Sequence, residues 1–176
     1  VDVGSATIML NEDGTYKLAI AAADMGTGCD TILSQMAADI LGTDLNNVVP
    51  FGVDTDISPY DSGSYASSTT YITGKAVAKA AENLREKIVK MGASMLEAEP
   101  NEVTFDGKCV EKKDKSAKVT LPEIGVRGTF GNNDALQVTE NCAAEISPPP
   151  YMVGMAEVEI DKETGSVELI DYVAVV

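Results

Sequence analysis

The sequence predicts an α+β domain in which helices pack on a mixed β-sheet. Strand-like segments joined by short turns lie near both ends of the chain, and two amphipathic helical segments lie between them. Strands and helices do not alternate strictly, so a doubly wound parallel sheet is excluded. With 176 residues, 44% of them hydrophobic, the chain is long enough to bury a core.

A β-hairpin is predicted at the beginning of the chain, over residues 5–10 and 16–21. Both segments are rich in apolar side chains, and the loop between them contains Asp13-Gly14. Asp-Gly is typical of short hairpin turns. We therefore expect these two strands to pair with each other.

Two helices are predicted next, at 28–41 and at about 70–97. In both segments apolar residues recur at three- and four-residue spacing, and Gly42 ends the first. The stripes are Cys29, Ile32, Leu33, Met36, Ile40 and Leu41 in the first helix, and Val77, Ala81, Leu84, Ile88, Met91 and Met95 in the second. We expect the helices to cover one face of the sheet, with Ile32/Met36/Ile40 and Val77/Leu84/Ile88/Met91 buried.

The rest of the chain is predicted from its turn residues and its composition. The predictions are a short strand at 47–53, a loop at 54–70, a hairpin around Asp106-Gly107 followed by a charged segment at 111–115, irregular structure at 121–150, and a second main hairpin at 153–160 and 166–176. No repeat of fixed period is present, so a solenoid is excluded.

Charge and composition exclude several classes of function. The 13 basic and 28 acidic residues give a formal net charge of −15, which disfavours nucleic-acid binding. No apolar run reaches the length of about 20 residues that a membrane span needs. The chain has no histidine, which removes a Ser-His-Asp triad and every histidine metal site. The three cysteines, Cys29, Cys109 and Cys142, are predicted to be reduced thiols of a cytoplasmic protein.

The first candidate site is the segment Met25-Gly26-Thr27-Gly28 before the first helix. Glycines allow a ligand to approach the backbone closely, and the start of a helix offers N–H groups to an anion. Thr31 occupies the position of the third glycine of a dinucleotide-binding fingerprint, so that interpretation fails. The alternative is an ordinary turn in which Thr27 or Asp30 caps the helix.

The second candidate site is the Ser/Thr/Tyr-rich loop at 54–70. Its beginning resembles a calcium-binding loop, but Pro59 and Tyr65 stand where such a loop needs glycine and glutamate. Its end places small hydroxyl side chains directly before a long helix, a pattern that suits a phosphate or diphosphate. The alternative, a flexible linker, stays open at this point.

Taken together, these segments resemble the xanthine dehydrogenase/aldehyde oxidase family of molybdenum hydroxylases, in the molybdopterin-binding region of the large subunit. The matching residues are Met25-Gly26-Thr27-Gly28 with Thr31, then Asp54-Thr55-Asp56, Pro59-Tyr60 and Gly63-Ser64-Tyr65-Ala66-Ser67-Ser68-Thr69-Thr70, then Glu157-Val158-Glu159-Ile160-Asp161 with Thr164-Gly165. The segment at 65–70 is most similar to the bacterial purine and nicotinate hydroxylase branch.

The resemblance implies which residues contact the molybdenum cofactor. The implied cofactor-binding residues are Met25, Gly26, Thr27, Gly28, Thr31, Ser64, Ala66, Ser67 and Ser68. The family's pterin dithiolene holds the metal, so no residue of the chain is expected to be a metal ligand. The family's catalytic glutamate lies in a later part of the subunit, so no catalytic residue is expected here. Thr27 replaces the usual glutamine and lacks an amide's paired donor and acceptor.

The resemblance also implies the biological setting. The chain is expected to be a single partial domain, 1–176, of a larger subunit that works with iron–sulfur and FAD subunits or domains. The complete enzyme would oxidise a purine-like heterocycle or an aldehyde with oxygen derived from water. We expect residues 1–176 alone to hold no cofactor and to be inactive. The alternative from another class is an acidic interaction or scaffold domain whose glycine and serine loops are structural.

Overall fold

The computed structural model describes residues 2–64, 67–131, 135–146, 149 and 151–176, which form two compact units, Val1–Ala144 and Glu145–Val176. In chain order, the elements of the first unit are β1 (Val3–Leu10), β2 (Tyr16–Ile20), α1 (Cys29–Leu41), β3 (Val48–Gly52), α2 (Gly74–Met95), β4 (Val103–Phe105), β5 (Cys109–Lys112), β6 (Lys118–Thr120), α3 (Leu121–Phe130) and β7 (Gln137–Ala143). The second unit contains β8 (Val153–Ile160) and β9 (Val167–Val175). Three short single-turn helices, at 45–47, 69–73 and 100–102, complete the described elements.

A four-stranded mixed sheet is the centre of the first unit, with strand order β3-β2-β1-β7. Strand β1 pairs antiparallel with both β2 and β7, whereas β2 and β3 run parallel. Helices α1 and α2 pack against each other, α2 over β1 and β7 and α1 beside β3. The prediction of an α+β fold with helices on a mixed sheet is therefore confirmed.

The core lies between this sheet and the two helices. Alternate side chains of the central strands are fully buried, among them Ile8 of β1 and Leu18 of β2. They meet Leu33 of α1 and Leu84 and Ile88 of α2, which are equally buried. The period-2 pattern of the strands and the 3.6-residue pattern of the helices thus converge on one apolar layer.

The prediction for the buried face of α1 is wrong in detail. Ile32, Met36 and Ile40 are half-buried, whereas a neighbouring stripe that includes Leu33 and Leu41 is buried. Alanine and serine share this buried stripe, because the start of α2 packs closely on α1. In α2, Val77, Leu84 and Ile88 are buried as predicted, but Met91 is half-buried.

The prediction of irregular structure at 121–150 is also wrong, because this stretch contains α3 and β7. A reciprocal capping box begins α3, in which Thr120 and Glu123 hydrogen-bond each other's backbone N–H groups. Pro122 stands in the first turn, where its missing N–H costs nothing. Strand β6 was not predicted either, and it extends the predicted β4–β5 hairpin into a three-stranded sheet.

The second unit is the predicted hairpin of β8 and β9. Its register runs from Val153 opposite Val175 to Ile160 opposite Val167, with an irregularity between Glu157 and Val158. The turn is closed by a hydrogen bond of 2.8 Å from the Gly165 N–H to the carbonyl oxygen of Asp161. Among the helices of the described ranges, none has the length and apolar character that a membrane crossing requires.

Candidate functional site

Both predicted site loops leave the four-stranded sheet at the same end. Because β2 and β3 are parallel, with Ile20 opposite Gly52, their carboxyl ends share one sheet edge. The loop after β2 leads into α1, and the loop after β3 leads towards α2. The Val53 N–H donates to the Ile20 carbonyl oxygen over 3.4 Å, so the two loops begin side by side. The topology therefore brings together segments that are about 40 residues apart in the sequence.

The first loop is folded around the carboxylate of Asp24. Its Oδ1 accepts hydrogen bonds from the N–H groups of Gly26, over 2.9 Å, and Gly28, over 3.2 Å. The bond from Gly26, followed by that from Gly28, lowers the pKa of Asp24 below its ordinary value. The Asp24 carboxylate thus accepts hydrogen bonds from N–H groups that were predicted to bind an external anion.

The glycines of this loop present bare backbone to open space. Gly26 and Gly28 have φ angles of 94° and 73°, a region that favours glycine. A Cβ atom added at either residue would meet no other atom within 4 Å. The absence of side chains here therefore leaves two peptide planes accessible to a flat ligand.

The cap of α1 differs from both predicted caps. Gly28 is the N-cap in a left-handed conformation, and neither Thr27 nor Asp30 makes a capping hydrogen bond. Asp24 was missed by the sequence analysis, although an aspartate two residues before a glycine is a recognisable turn signal. The ordinary-turn interpretation is right that the loop is a turn before the helix, but the N-cap is Gly28, and the side chain that closes the turn is that of Asp24.

Acidic side chains surround the beginning of α1. Ligand atoms of Asp24, Cys29 and Asp30 lie within 4.8 Å of one another. Burial, and then the nearby carboxylates, raise the pKa of the Cys29 thiol, which donates to the Ala22 carbonyl oxygen over 3.7 Å. Because the thiol is protonated and Asp24 is already hydrogen-bonded, this group is a negatively charged structural cluster. It disfavours a phosphate at this helix end.

The second loop is anchored to the first residues of β1. Val3 donates its N–H to the Ser62 Oγ over 3.0 Å and accepts from the Ser62 N–H over 2.9 Å. Asp61 accepts from the Gly63 N–H and from the Thr73 hydroxyl, both over 2.8 Å. These contacts hold the loop at the sheet end that also carries the glycine loop.

The predicted serines stand at the beginning of a continuous helical segment. A π-turn, Thr69–Thr73, runs directly into α2, and Ser68 is its N-cap without a side-chain capping bond. Ser68 is only 8% exposed, whereas Ser67 is exposed and has a positive φ of 56°. Ser64 is half-buried. Ala66 lies outside the described residues.

The start of this helical segment packs against α1. A Cβ atom added at Gly74 would lie 2.8 Å from the Met36 sulfur, so glycine allows the close approach without displacing the Met36 side chain. The first turn carries no acidic residue, and the Lys75 Nζ hydrogen-bonds the Tyr71 hydroxyl over 3.0 Å. This helix end therefore differs in charge from the beginning of α1.

The remaining predicted residues lie in the first loop and in the first turn of α1, and all of them are exposed to solvent. Met25 is 67% exposed, and Thr27 and Thr31 are exposed as well. Met25 stands between Asp24 and Gly26, and it presents an apolar side chain to solvent beside the glycine backbone. The structure thus places glycine backbone, small hydroxyls and one apolar side chain at one end of the sheet.

Comparison with known proteins identifies the family. The family description "Molybdopterin cofactor-binding domain" matches residues 2–176. The probable hypoxanthine oxidase XdhD of Escherichia coli strain K12 is 34% identical over 177 residues, which cover 99% of this chain and 18% of that protein. The putative xanthine dehydrogenase molybdenum-binding subunit XdhA of the same strain is 37% identical over 97 residues, which cover 54% of this chain and 13% of that protein. The chain thus spans about a fifth or less of these relatives.

Two solved structures share this fold. Reconstituted CO dehydrogenase from Oligotropha carboxidovorans superposes with a TM-score of 0.85 at 23% identity, covering 97% of this chain and 22% of that one. Quinoline 2-oxidoreductase from Pseudomonas putida 86 superposes with a TM-score of 0.79 at 25% identity, and the match covers 99% of this chain and 23% of that one. The chain belongs to the molybdopterin cofactor-binding domain family, in the large subunits of xanthine dehydrogenase- and CO dehydrogenase-type enzymes.

Proposed function

We propose that this chain supplies pterin and phosphate contacts to the molybdenum cofactor of a hydroxylase that oxidises purine-like heterocycles or aldehydes with water-derived oxygen. The observation that carries the proposal is that the bare backbone of Gly26 and Gly28 and the hydroxyl-rich helix start of 67–70 lie at one sheet end. The relatives named for hypoxanthine and xanthine support a purine-like substrate.

The residues fit the two chemically different parts of such a cofactor. A flat, uncharged pterin suits Gly26 and Gly28, where no Cβ occupies the space above the peptide planes. A phosphate suits Ser67 and Ser68, because a helix begins there without an acidic residue in its first turn. When bound, the cofactor would supply the metal that activates oxygen from water for insertion into the substrate.

The chain's own contribution is to bind and orient. Met25 would cover an apolar part of the pterin, and Thr27 and Thr31 would offer single hydroxyl groups where an amide would offer a donor and an acceptor. Ser64 and Ala66 are further proposed contacts, and for Ala66, which lies outside the described residues, the proposal rests on the family resemblance alone. We assign no catalytic residue and no metal ligand to the chain, since the family's base lies in a later part of the subunit.

The proposed partners follow from the names of the relatives. The gamma subunit of the 6-hydroxypseudooxynicotine dehydrogenase complex of Paenarthrobacter nicotinovorans is 27% identical over 174 residues, and it is by name part of a complex. We propose that this chain works with the rest of a large subunit and with iron–sulfur and FAD subunits or domains, in the cytoplasm. Neither a nucleic acid nor a membrane is among the proposed partners.

Metal analysis of the full-length subunit tests the proposal. We expect about one molybdenum per subunit by plasma mass spectrometry, and turnover of at least one compound in a screen of purines, pyridines and aldehydes. Molybdenum-free protein from cells that load another molybdenum hydroxylase would contradict it and favour the scaffold alternative.

Residues 1–176 alone are proposed to fold without retaining molybdenum. Sites for ligands of this size surround most of the ligand surface, and the net charge of −15 opposes a phosphorylated ligand. Stoichiometric molybdenum or hydroxylase turnover in purified 1–176 would contradict this part of the proposal.

A further inference from the structure

A groove at the C-terminal end of α2 is lined by apolar and cationic side chains that are not part of the candidate cofactor site. It has a volume of about 650 Å³ and lies between the C-terminal half of α2, the end of α3 with Gly131, and Leu136. Its apolar floor is formed by Met91, Met95 and Leu136. Because a helix rises 1.5 Å per residue, Met91 lies about 25 Å along the axis from Gly74. The groove is therefore separate from the candidate cofactor site.

Three cations stand around this floor, in a chain whose net charge is −15. They are Lys87 and Lys90 on α2 and Arg127 on α3. Lys87 donates to the Gln137 carbonyl oxygen over 3.2 Å, and Lys90 makes one exposed contact of 3.8 Å with Glu86. Among the described residues Arg127 makes no ion pair, and its guanidinium, which carries five N–H donors, belongs to an exposed residue.

We propose that this groove binds a small organic anion with an apolar body, such as an aromatic carboxylate. The acid group would pair with Arg127, whose planar guanidinium binds carboxylates through two parallel hydrogen bonds. The apolar body would lie on the two methionines and Leu136, since the methionine side chain adapts to varied shapes.

The volume of the groove favours a small molecule over a peptide. It lies within the range of about 300–1,000 Å³ that small-molecule sites span. A peptide helix about 10 Å in diameter would fill it with only about one and a half turns. The cations, which are unusual in so acidic a chain, select the charge of the ligand.

Titration of the full-length subunit with three probes tests the proposal. 2-Naphthoate carries both the acid and the apolar body, 2-naphthylmethanol lacks the charge, and acetate lacks the apolar body. By isothermal calorimetry we expect saturable binding of 2-naphthoate with a Kd below about 1 mM. The other two probes should bind at least about tenfold more weakly, because each loses one of the two interactions.

Variants distinguish this groove from other surfaces. Arg127→Met should weaken 2-naphthoate binding about tenfold, Arg127→Lys should restore part of it, and Lys113→Met, on an exposed turn elsewhere, should leave it unchanged. Because Arg127 is exposed, these variants should fold, which circular dichroism checks. Absence of saturation, equal binding of 2-naphthylmethanol, or an unchanged Kd in Arg127→Met would each overturn the proposal. Binding by 1–176 but not by the complete subunit would do the same.

Discussion

The two main helices begin at the same end of the sheet but with opposite chemistry. Before α1, the Asp24 carboxylate accepts two backbone N–H groups, and Asp30 stands in the first turn. Before α2, the N-cap Ser68 makes no side-chain capping bond, and the first turn contains hydroxyls but no acid. One helix beginning has a carboxylate bound to backbone N–H groups of its own loop. At the other, the Asp61 carboxylate accepts from the Thr73 hydroxyl and from the N–H of Gly63, which precedes the helix.

This difference in charge indicates which part of a cofactor each loop can bind. A helix N-terminus carries a partial positive charge that favours an anion, but only while no other anion is present. The α1 end is neutralised by the chain itself, so it suits an uncharged ring lying on Gly26 and Gly28. The α2 end retains its partial charge and suits a phosphate. The net charge of −15 describes the whole chain and would not separate the two helix ends.

The largest expected effect comes from filling the α2 end in the full-length subunit. The double substitution Ser67→Leu/Ser68→Leu puts two bulky side chains where we propose the phosphate end of the cofactor. We expect molybdenum content to fall at least about tenfold, since even about 1.4 kcal/mol of lost binding free energy has that effect. Plasma mass spectrometry measures it, and normal content would contradict the proposed site.

Controls for this variant must separate folding from binding. Ser68 is buried and Ser67 has a positive φ, so leucine there adds strain. Ser67→Asn adds bulk at a residue type that tolerates this backbone conformation, and it should still lower molybdenum content. Thr129→Leu, on the exposed surface of α3, is the matched control and should leave the content unchanged.

A smaller effect is expected when the α2 end is made to resemble the α1 end. Thr69→Asp places a carboxylate at the first residue of the π-helical turn that leads into α2. We expect about a tenfold loss of molybdenum, because like charges about 6 Å apart repel by roughly 1–3 kcal/mol at intermediate dielectric. Thermal stability of the cofactor-free subunit should be unchanged or slightly higher, since an acid is favourable at this end. Thr69→Asn has the same shape without the charge, and equal loss in both variants would disprove the electrostatic explanation.

The anion of the α1 end can be removed by lowering the pH. The pKa of Asp24 lies below its ordinary value of 3.8, first because of the hydrogen bond from Gly26. A depressed pKa means that the stabilisation is complete above about pH 3.8 and is lost as the pH falls through the folded value. We expect the amide proton shifts of Gly26 and Gly28 in 1–176 to change together below pH 3.8. Asp24→Ala should abolish this titration, whereas Asp161→Ala, in the second unit, should leave it intact.

The first hairpin, both long helices and the last hairpin were predictable from the sequence because local periodicity and turn residues agree with the tertiary structure. Strand β7 was not, because an acid stands on its inner face. Glu140 interrupts the apolar alternation, and it is accommodated by Lys79 and Asn83, each 2.6 Å from one of its oxygens. That compensation comes from α2, far away in the sequence, so no local pattern could reveal it.

Helix α3 was missed for a related reason. Gly125 and Gly128 lower helix propensity, but a Cβ at Gly125 would collide with the Asn11 carbonyl oxygen, and one at Gly128 would lie 2.8 Å from Leu136. In the site, the loop positions and glycines were predictable. The role of Asp24 was not, because its acceptor function depends on a fold of the loop that brings two N–H groups to one oxygen.

The smallest expected effect compares two helix caps by single truncations to alanine. Thr120 is engaged, because its Oγ1 lies 2.6 Å from the Glu123 carboxylate and 3.4 Å from the Glu123 N–H. Thr120→Ala should therefore cost about 1 kcal/mol of unfolding free energy. Ser68 makes no capping bond, so Ser68→Ala should change the stability of the cofactor-free subunit by less than about 0.5 kcal/mol.

If the Ser68 hydroxyl binds a ligand, then Ser68→Ala should have the larger effect on ligand-dependent stabilisation, although Thr120→Ala has the larger effect on the cofactor-free subunit. A ligand that binds the folded state stabilises it in proportion to its affinity. Ser68→Ala should then reduce the rise in Tm between cofactor-free and cofactor-loaded subunits, whereas Thr120→Ala should lower both Tm values equally. Differential scanning calorimetry of both forms measures this. If Ser68→Ala destabilises the cofactor-free subunit as much as Thr120→Ala does, then Ser68 serves the fold, and the contrast between the two helix beginnings does not extend to ligand binding.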